Sequence, residues 1–158
     1  MDIKIKENGF RFKFRVAGLV KQNNKYLFVK MGQNDFYCLP GGHVEICEST
    51  EQAAKREMEE ELDFKVNVDK LLAIHENFFG KPGDRFHELC FYYLTSPQDP
   101  NVKTEDYNRT EMDKEGPVEL EFRWFSREEL NTNPIKPQIL YDLIDKDNNY
   151  PVHKITKD

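Results

Sequence analysis

Acidic side chains are grouped near the middle of the chain with a spacing that suits metal-assisted chemistry. On a helix, Glu57, Glu60 and Glu61 stand at i, i+3 and i+4, so their three carboxylates converge on one patch. Like charges at this spacing repel, and such a cluster usually persists because a cation occupies it. Mg²⁺ prefers carboxylate oxygens and water, and it often leaves positions for substrate phosphates. The cluster therefore predicts metal-assisted attack on a phosphate ester or anhydride, with Mg²⁺ as the cofactor and Mn²⁺ as its substitute.

The residues that precede this cluster separate it from an ordinary acidic helix. A Glu-rich helix is usually a solvated surface, but here Gly42, Glu48 and Arg56 come before the carboxylates at defined intervals. The segment resembles the box of the Nudix hydrolase (MutT-like) family. That box reads Gly, five residues, Glu, seven residues, Arg-Glu, an aliphatic residue, any residue, Glu-Glu, any residue, Gly and an aliphatic residue. It covers 23 of the 158 residues, and the matching positions are Gly42, Glu48, Arg56, Glu57, Met58, Glu60, Glu61 and Phe64.

The similarity to the family extends outside the box, and it includes one departure. Pro40-Gly41-Gly42 before the box and Arg123-Trp124-Phe125-Ser126 after it also look like the family. The departure is Asp63, which stands where the box has its second Gly, a position that ends the helix and is commonly left-handed. Because Asp tolerates that conformation better than most residues, we expect the loop to be kept.

The resemblance implies a fold, an activity and a set of site residues. The fold is of the α/β class (α+β by some schemes), a Nudix-type mixed β-sheet sandwiched between helices. The activity is Mg²⁺-dependent hydrolysis of a diphosphate (pyrophosphate) linkage in a nucleoside diphosphate joined to another moiety. The implied metal ligands are Glu57, Glu60, Glu61 and the Gly41 carbonyl. Gly42, Glu48 and Arg56 would support the loop and orient the carboxylates.

Two further roles are assigned as expectations. A carboxylate must take the proton of the attacking water, and we place Glu60 first and Glu57 second in this role. Carboxylates outside the box are weaker candidates, namely Glu111, Glu115, Glu119 and Glu121. Arg15 is the basic residue of the first strand nearest the sheet interior, so we expect it to contact a substrate phosphate.

Two other functions stay open at this point. The same fold supports a catalytically silent nucleotide-binding or regulatory module, since fold does not fix function. An isomerase of a diphosphate ester would need further acid and base groups, and no motif places Glu88 or Cys90 in such roles. The substrate is equally open among ADP-ribose, a dinucleoside polyphosphate, a nucleotide sugar and a damaged nucleoside triphosphate.

The patterns of apolar residues predict the elements that position these groups. Ser49 and Gln52 form a helix-capping pattern, and Ala54, Met58 and Leu62 give the following helix a buried stripe. We predict strands over 10–20, 26–31, 36–39, 66–79, 86–95 and 118–125, helices over 50–62, 126–130 and 137–145, a polar loop over 96–116, and a loose tail after Lys146.

Composition limits the class of protein. A chain of 158 residues fits one domain, which we place over residues 1–158. The net charge of -6 and the pI near 5.3 disfavour nucleic acid and anionic lipid as partners. The partner that the resemblance implies is a small nucleotide-type substrate. Three cysteines without a paired spacing indicate a reducing compartment, and we expect a cytoplasmic protein without a membrane span. A homodimer is left open.

Overall fold

A mixed β-sheet forms the centre of the molecule. We describe it from a computed structural model, in which residues 1–113, 116–145 and 151–158 are defined. In chain order the elements are β1 (Lys4–Glu7), β2 (Phe10–Gln22), β3 (Lys25–Met31), β4 (Gly41–His43), α1 (Thr50–Glu61), β5 (Val66–Lys81), β6 (Asp84–Pro97), β7 (Tyr107–Asp113), β8 (Gly116–Ser126), a 3₁₀ turn (Glu129–Thr132), α2 (Ile139–Asp145) and β9 (Val152–Lys157).

Strand β2 organises the sheet. The main order is β7-β8-β3-β2-β6-β5-β9, and β1 and β4 also pair with β2. The β2–β6 and β5–β9 pairs are parallel, whereas the other pairs are antiparallel. Because β2 is thirteen residues long, it can pair with β1, β4 and β3 in succession along one edge. This arrangement brings the short strand β4, which leads into the box, beside the middle of β2.

The two helices lie on opposite faces of the sheet. Val16 on β2 packs in a cluster with Ala53 and Ala54 of α1. Ala17, the next residue of β2, belongs instead to the cluster that contains Leu140 of α2. Successive side chains of a strand point to opposite faces, so the sheet is sandwiched between the helices. The α/β class and the mixed sheet predicted from the resemblance are confirmed.

Helix α1 agrees with its prediction to within one residue. Ser49 Oγ accepts the Gln52 N–H at 3.2 Å, and Gln52 Oε1 accepts the Ser49 N–H at 2.9 Å, which completes the predicted capping box. Met58 is fully buried and lies against Gly18 of β2, where a Cβ would overlap its sulfur. The absence of a side chain at position 18 therefore allows α1 to approach the sheet closely.

Three predictions of secondary structure were wrong. The predicted loop over 96–116 contains β7, and the predicted loose tail contains β9. Both are edge strands held through backbone pairing, so they lack the apolar alternation that marks half-buried strands. The predicted strand over 36–39 is reduced to isolated bridges, from Cys38 to Val29 and from Tyr37 to Ile135.

The strands predicted over 66–79 and 86–95 are confirmed as β5 and β6, which pair as an antiparallel hairpin and extend to within two residues of each other. Within the described ranges, no helix has the length and apolar character required to cross a bilayer.

Candidate active site

The box begins in β4, passes through a loop and continues into α1. This segment lies close to the point where β4 pairs with β2. The Glu57 carboxylate lies directly over Gly42, since a Cβ at position 42 would overlap its oxygens. Glu57 Oε1 also accepts a hydrogen bond from Arg56 Nη1 at 2.8 Å. Glycine at position 42 therefore leaves room for the Glu57 carboxylate, which any larger residue would displace.

Glu61 lies deeper than Glu57 and is held by the neighbouring peptide. Its Oε2 accepts the Gly41 N–H at 3.2 Å. Burial, together with the nearby charge of Glu57, raises the pKa of Glu61 to about 7. Burial also raises the pKa of Glu57, against the lowering effect of its hydrogen bond from Arg56. These two carboxylates therefore share a region in which their negative charge is incompletely compensated.

Glu60 differs from its two neighbours because its side chain is 61% exposed. Its Oε2 lies 3.5 Å from Arg56 Nη1. Glu57 and Glu60 thus share Arg56 as a partner, whereas Glu61 is held by the Gly41 N–H. In the described ranges no set of three or more His, Cys, Asp or Glu side chains is already arranged as a metal cage. The donor set nevertheless fits a divalent cation, because it consists of carboxylate oxygens and carries negative charge that is incompletely compensated. The assignment of the metal ligands stays a prediction.

Arg56 joins the loop to the helix. Its Nε and Nη2 contact the two oxygens of Glu48 at 2.8 and 2.9 Å, and Nη2 also donates to the His43 carbonyl at 3.0 Å. Glu48 Oε2 accepts the Glu45 N–H at 3.0 Å as well. The hydrogen bonds from Arg56 lower the pKa of Glu48, which keeps this carboxylate ionised. These are the contacts that the predicted supporting role requires.

We expect Arg56→Lys to destabilise the protein by about 2 kcal/mol, because an ammonium cannot reproduce a two-pronged contact with Glu48 and the bond to Glu57. Urea unfolding followed by circular dichroism measures the change. The matched control is Arg85→Lys at an exposed position of β6, for which we expect no measurable change. Equal stability of the two variants would contradict the bracing role of Arg56.

Arg15 lies close to Glu61, and both side chains contact Gly41 of β4. Its Nη2 donates to the Gly41 carbonyl at 3.3 Å, and its Nη1 lies 3.5 Å from Glu88 Oε2. Arg11, Lys13 and Arg15 alternate along β2 as a basic strip, and the other two members have different partners: Arg11 pairs with Asp84 at 2.7 Å, and Lys13 lies over the Phe86 ring. Arg15 is thus the residue of this basic strip that reaches the site, and its contact with substrate stays a prediction.

A small cavity opens beneath Arg15. Its volume is about 80 Å³, and Arg15, Gly41, Glu61, Glu88 and Cys90 are among the residues that line it. A water molecule occupies about 30 Å³ in the liquid, so this space can take a few waters or a phosphate oxygen but not a nucleobase.

Sequence reasoning missed the residue that ends α1. Arg109 of β7 donates from Nη1 to the Glu61 carbonyl at 2.8 Å, where a cation is favourable because it faces the negative end of the helix. The left-handed conformation expected at Asp63 is not present. Helix α1 ends at Glu61, and its C-cap residue Leu62 has extended backbone, with φ of -109° and ψ of 147°. Asp63 is not among the residues with positive φ, so its backbone does not need a glycine.

The carboxylates outside the box have separate environments. Glu111 pairs with Arg109 at 3.3 Å, and its charge contributes to the raised pKa of Glu61. Glu119 accepts a hydrogen bond from Thr110 at 3.0 Å, and Glu121 pairs with Lys30 at 3.3 Å. Of these outside candidates for the proton acceptor, Glu111 is the one whose charge reaches the cluster. Glu115 lies outside the described residues.

Solved structures share this fold. A NUDIX hydrolase from Nitrosomonas europaea superposes with a TM-score of 0.62 at 20% identity, covering 98% of this chain and 82% of that one. A MutT protein from Bacillus halodurans superposes with a TM-score of 0.58 at 16% identity, covering 89% of each chain. At these identities the likeness concerns the fold.

Sequence comparisons point to the same family. An ADP-ribose pyrophosphatase of Methanocaldococcus jannaschii is 37% identical over 82 residues, which are 50% of this chain and 47% of that protein. A MutT-like protein of Streptomyces ambofaciens is 35% identical over 63 residues, 39% of this chain and 41% of that protein. The chain thus spans about half, or less, of the length of these relatives. The NUDIX domain model matches residues 11–144, so the predicted resemblance is confirmed and the chain belongs to the NUDIX domain family.

Proposed function

We propose that this protein is a Mg²⁺-dependent hydrolase of a diphosphate linkage in a nucleoside diphosphate joined to another moiety. The observation that carries the proposal is the pair of poorly compensated carboxylates, Glu57 and Glu61, held over the Gly41–Gly42 peptide. Family membership and the relative named as an ADP-ribose pyrophosphatase support the same class of reaction.

The reaction adds water to one phosphorus atom and breaks the bridging P–O bond, which leaves two phosphate products. When bound, Mg²⁺ would neutralise the phosphate charge and lower the pKa of the attacking water. Glu57, Glu60 and Glu61, with the Gly41 carbonyl, are the residues that would hold it.

The chain's own residues have distinct tasks in this scheme. Glu60 takes the proton of the attacking water, a role that its exposure supports because it can meet water and substrate without further opening. Glu57 is the second candidate for this role. Arg56 orients Glu57 through the 2.8 Å hydrogen bond, and Arg15 contributes positive charge for a substrate phosphate.

The test is turnover of a panel that comprises ADP-ribose, a dinucleoside polyphosphate, a nucleotide sugar and an oxidised nucleoside triphosphate. Each compound is incubated with Mg²⁺ or Mn²⁺, and the phosphate products are separated by chromatography. We expect at least one compound to be cleaved by the wild type and by Glu51→Gln, an exposed carboxylate in the first turn of α1, but not by Glu60→Gln. Full turnover by Glu60→Gln would remove it from the mechanism.

Binding without turnover would favour the silent module instead. In that case a nucleotide of the panel would raise the melting temperature of the wild type, while no product would form with either metal.

The cellular location is a separate proposal: all three cysteines are free thiols, which supports the reducing cytoplasm.

A further inference from the structure

Glu88 of β6 is a nearly buried acid that the proposed mechanism does not use. Its side chain is 12% exposed and faces the same side of the sheet as Arg15. In the described part of the chain, Arg15 is the only base that forms an ion pair with it. Lys13, the register partner of Glu88 on β2, adds positive charge nearby without forming an ion pair. A largely buried carboxylate is costly to keep unless its ion pair has a specific arrangement.

Arg15 connects this acid to the peptide that holds Glu61. One terminal nitrogen of the guanidinium lies 3.5 Å from Glu88 Oε2, and the other donates to the Gly41 carbonyl at 3.3 Å. The N–H of the same glycine donates to Glu61 Oε2 at 3.2 Å. Glu88, Arg15, Gly41 and Glu61 therefore form one continuous set of contacts, which we call the Arg15 network.

Gly41 cannot move freely within this network. It pairs with Ala17 of β2, and a Cβ at position 41 would overlap the Val16 carbonyl oxygen. The sheet thus fixes the position of this peptide. The contact with Arg15 therefore depends on how the arginine side chain is held. The third nitrogen of the guanidinium, Arg15 Nε, is buried and has no hydrogen-bond partner in the described residues. Glu88 and the Gly41 carbonyl are therefore the groups that hold the side chain.

The charge of Arg15 reaches the carboxylate cluster. Arg15 lowers the pKa of both Glu57 and Glu61, although burial outweighs this effect at both positions. A fixed positive charge at this place opposes the binding of a divalent cation, unless a second acid offsets it. Glu88 is placed to provide that offset on the far side of the guanidinium.

We propose that Glu88 is a positioning residue that acts through Arg15: its carboxylate holds the guanidinium against the Gly41 carbonyl and neutralises it, which keeps the Glu57–Glu61 cluster able to bind a divalent cation. This inference rests on the proposed function in one respect only, namely that the cluster binds a metal. Groups that orient and balance metal ligands without touching the metal commonly change affinity by about 10- to 100-fold when they are removed.

The test is the Mn²⁺ dissociation constant of the substrate-free protein, measured from the electron paramagnetic resonance signal of free Mn²⁺. We expect Glu88→Gln to weaken Mn²⁺ binding by on the order of tenfold. The double variant Arg15→Met with Glu88→Gln should return to within about threefold of the wild type, since removing both partners removes the unbalanced charge. Glu88→Asp, which keeps the charge, should stay closer to the wild type than Glu88→Gln.

The matched control is Glu76→Gln on the adjacent strand β5. Glu76 is opposite Leu89 in the register, so its side chain lies on the other face of the sheet, and its replacement should leave Mn²⁺ affinity unchanged. A double variant as weak as Glu88→Gln alone would overturn the proposal, because a merely structural loss is not rescued by removing Arg15.

Two further outcomes separate this inference from the proposed function. Equal Mn²⁺ affinity of the wild type and Glu88→Gln would overturn the inference alone, whereas a wild type that binds no Mn²⁺ would overturn both. If Glu88→Gln does not fold, Arg15→Met by itself decides the question. It should bind Mn²⁺ at least as tightly as the wild type, and a tenfold weakening would contradict the proposal.

Discussion

Replacing Glu61 by Gln should lower kcat on the cleaved substrate by on the order of 10³-fold, which corresponds to about 4 kcal/mol of lost transition-state stabilisation. The substitution removes the negative charge that a divalent cation would need. It keeps the shape of the side chain, and the amide oxygen of Gln can still accept the Gly41 N–H that Glu61 accepts now. The loss should therefore appear in catalysis and not in folding.

The measurement is a comparison of kcat for the wild type, Glu61→Gln and Glu51→Gln at saturating metal, with circular dichroism as the check on folding. Glu51→Gln makes the same chemical change at an exposed position of the same helix, so its activity should match that of the wild type. A folded Glu61→Gln variant that retains a substantial fraction of wild-type activity would contradict the role of Glu61 as a metal ligand.

In EDTA, the Glu61 carboxylate should make the protein less stable as the pH rises. The folded-state pKa of Glu61 is raised from its ordinary value of 4.5 to about 7, so the folded state binds the proton more tightly than the unfolded state. The resulting stabilisation is fully present below pH 4.5 and is lost as the pH rises through 7. The shift corresponds to at most about 3 kcal/mol, at 1.36 kcal/mol for each pKa unit.

Other groups titrate in the same range with the opposite sign. Burial lowers the pKa of His43 and His75, and these residues therefore favour folding as the pH rises through their ordinary value. For this reason the quantity to measure is the difference in unfolding free energy between the wild type and Glu61→Gln, at pH 5 and at pH 8, in urea with EDTA. The wild type should lose about 2 to 3 kcal/mol relative to the variant between these two pH values, because part of the full effect is already lost at pH 5.

Addition of Mg²⁺ should reverse this loss. At pH 8 a cation that binds only the folded cluster stabilises it by about 2.7 kcal/mol when present at one hundred times its dissociation constant. Glu61→Gln should gain much less from the same addition. A pH-independent difference between the two proteins in EDTA would show that Glu61 is not the group responsible.

The acidic half of the box was predictable because its signal is local. The positions of Glu57, Glu60 and Glu61 on one helix follow from 3.6 residues per turn, and the start of that helix follows from the Ser49–Gln52 capping pattern. The α/β class and the family also followed, since glycine, glutamate and arginine at such intervals are rarely found together by chance. No long-range contact was needed for any of these predictions.

The edge strands and the end of α1 were not predictable in the same way. β7 has a polar sequence because one of its edges faces solvent, and its pairing with β8 is made by backbone groups that no residue type reveals. The same strand brings Arg109 to the Glu61 carbonyl, a contact across 48 positions of the chain. The family pattern suggested a left-handed residue at position 63, but Asp63 has no positive φ, and the contact from Arg109 to the end of the helix is one that no local pattern reveals.

The sequence by itself determined which chemical groups the protein has and how they repeat along one helix, because helix geometry and capping depend on neighbours only a few residues apart. The tertiary structure decided which of these groups are buried, which are exposed and which are paired. Glu61 is held by Gly41 and Glu60 is open to solvent, although the two are adjacent in the chain. Arg15 meets Glu88 only because β2 and β6 run parallel. Burial and charge balance depend on the pairing of strands that are far apart in the sequence, and the local spacing of residue types does not specify that pairing.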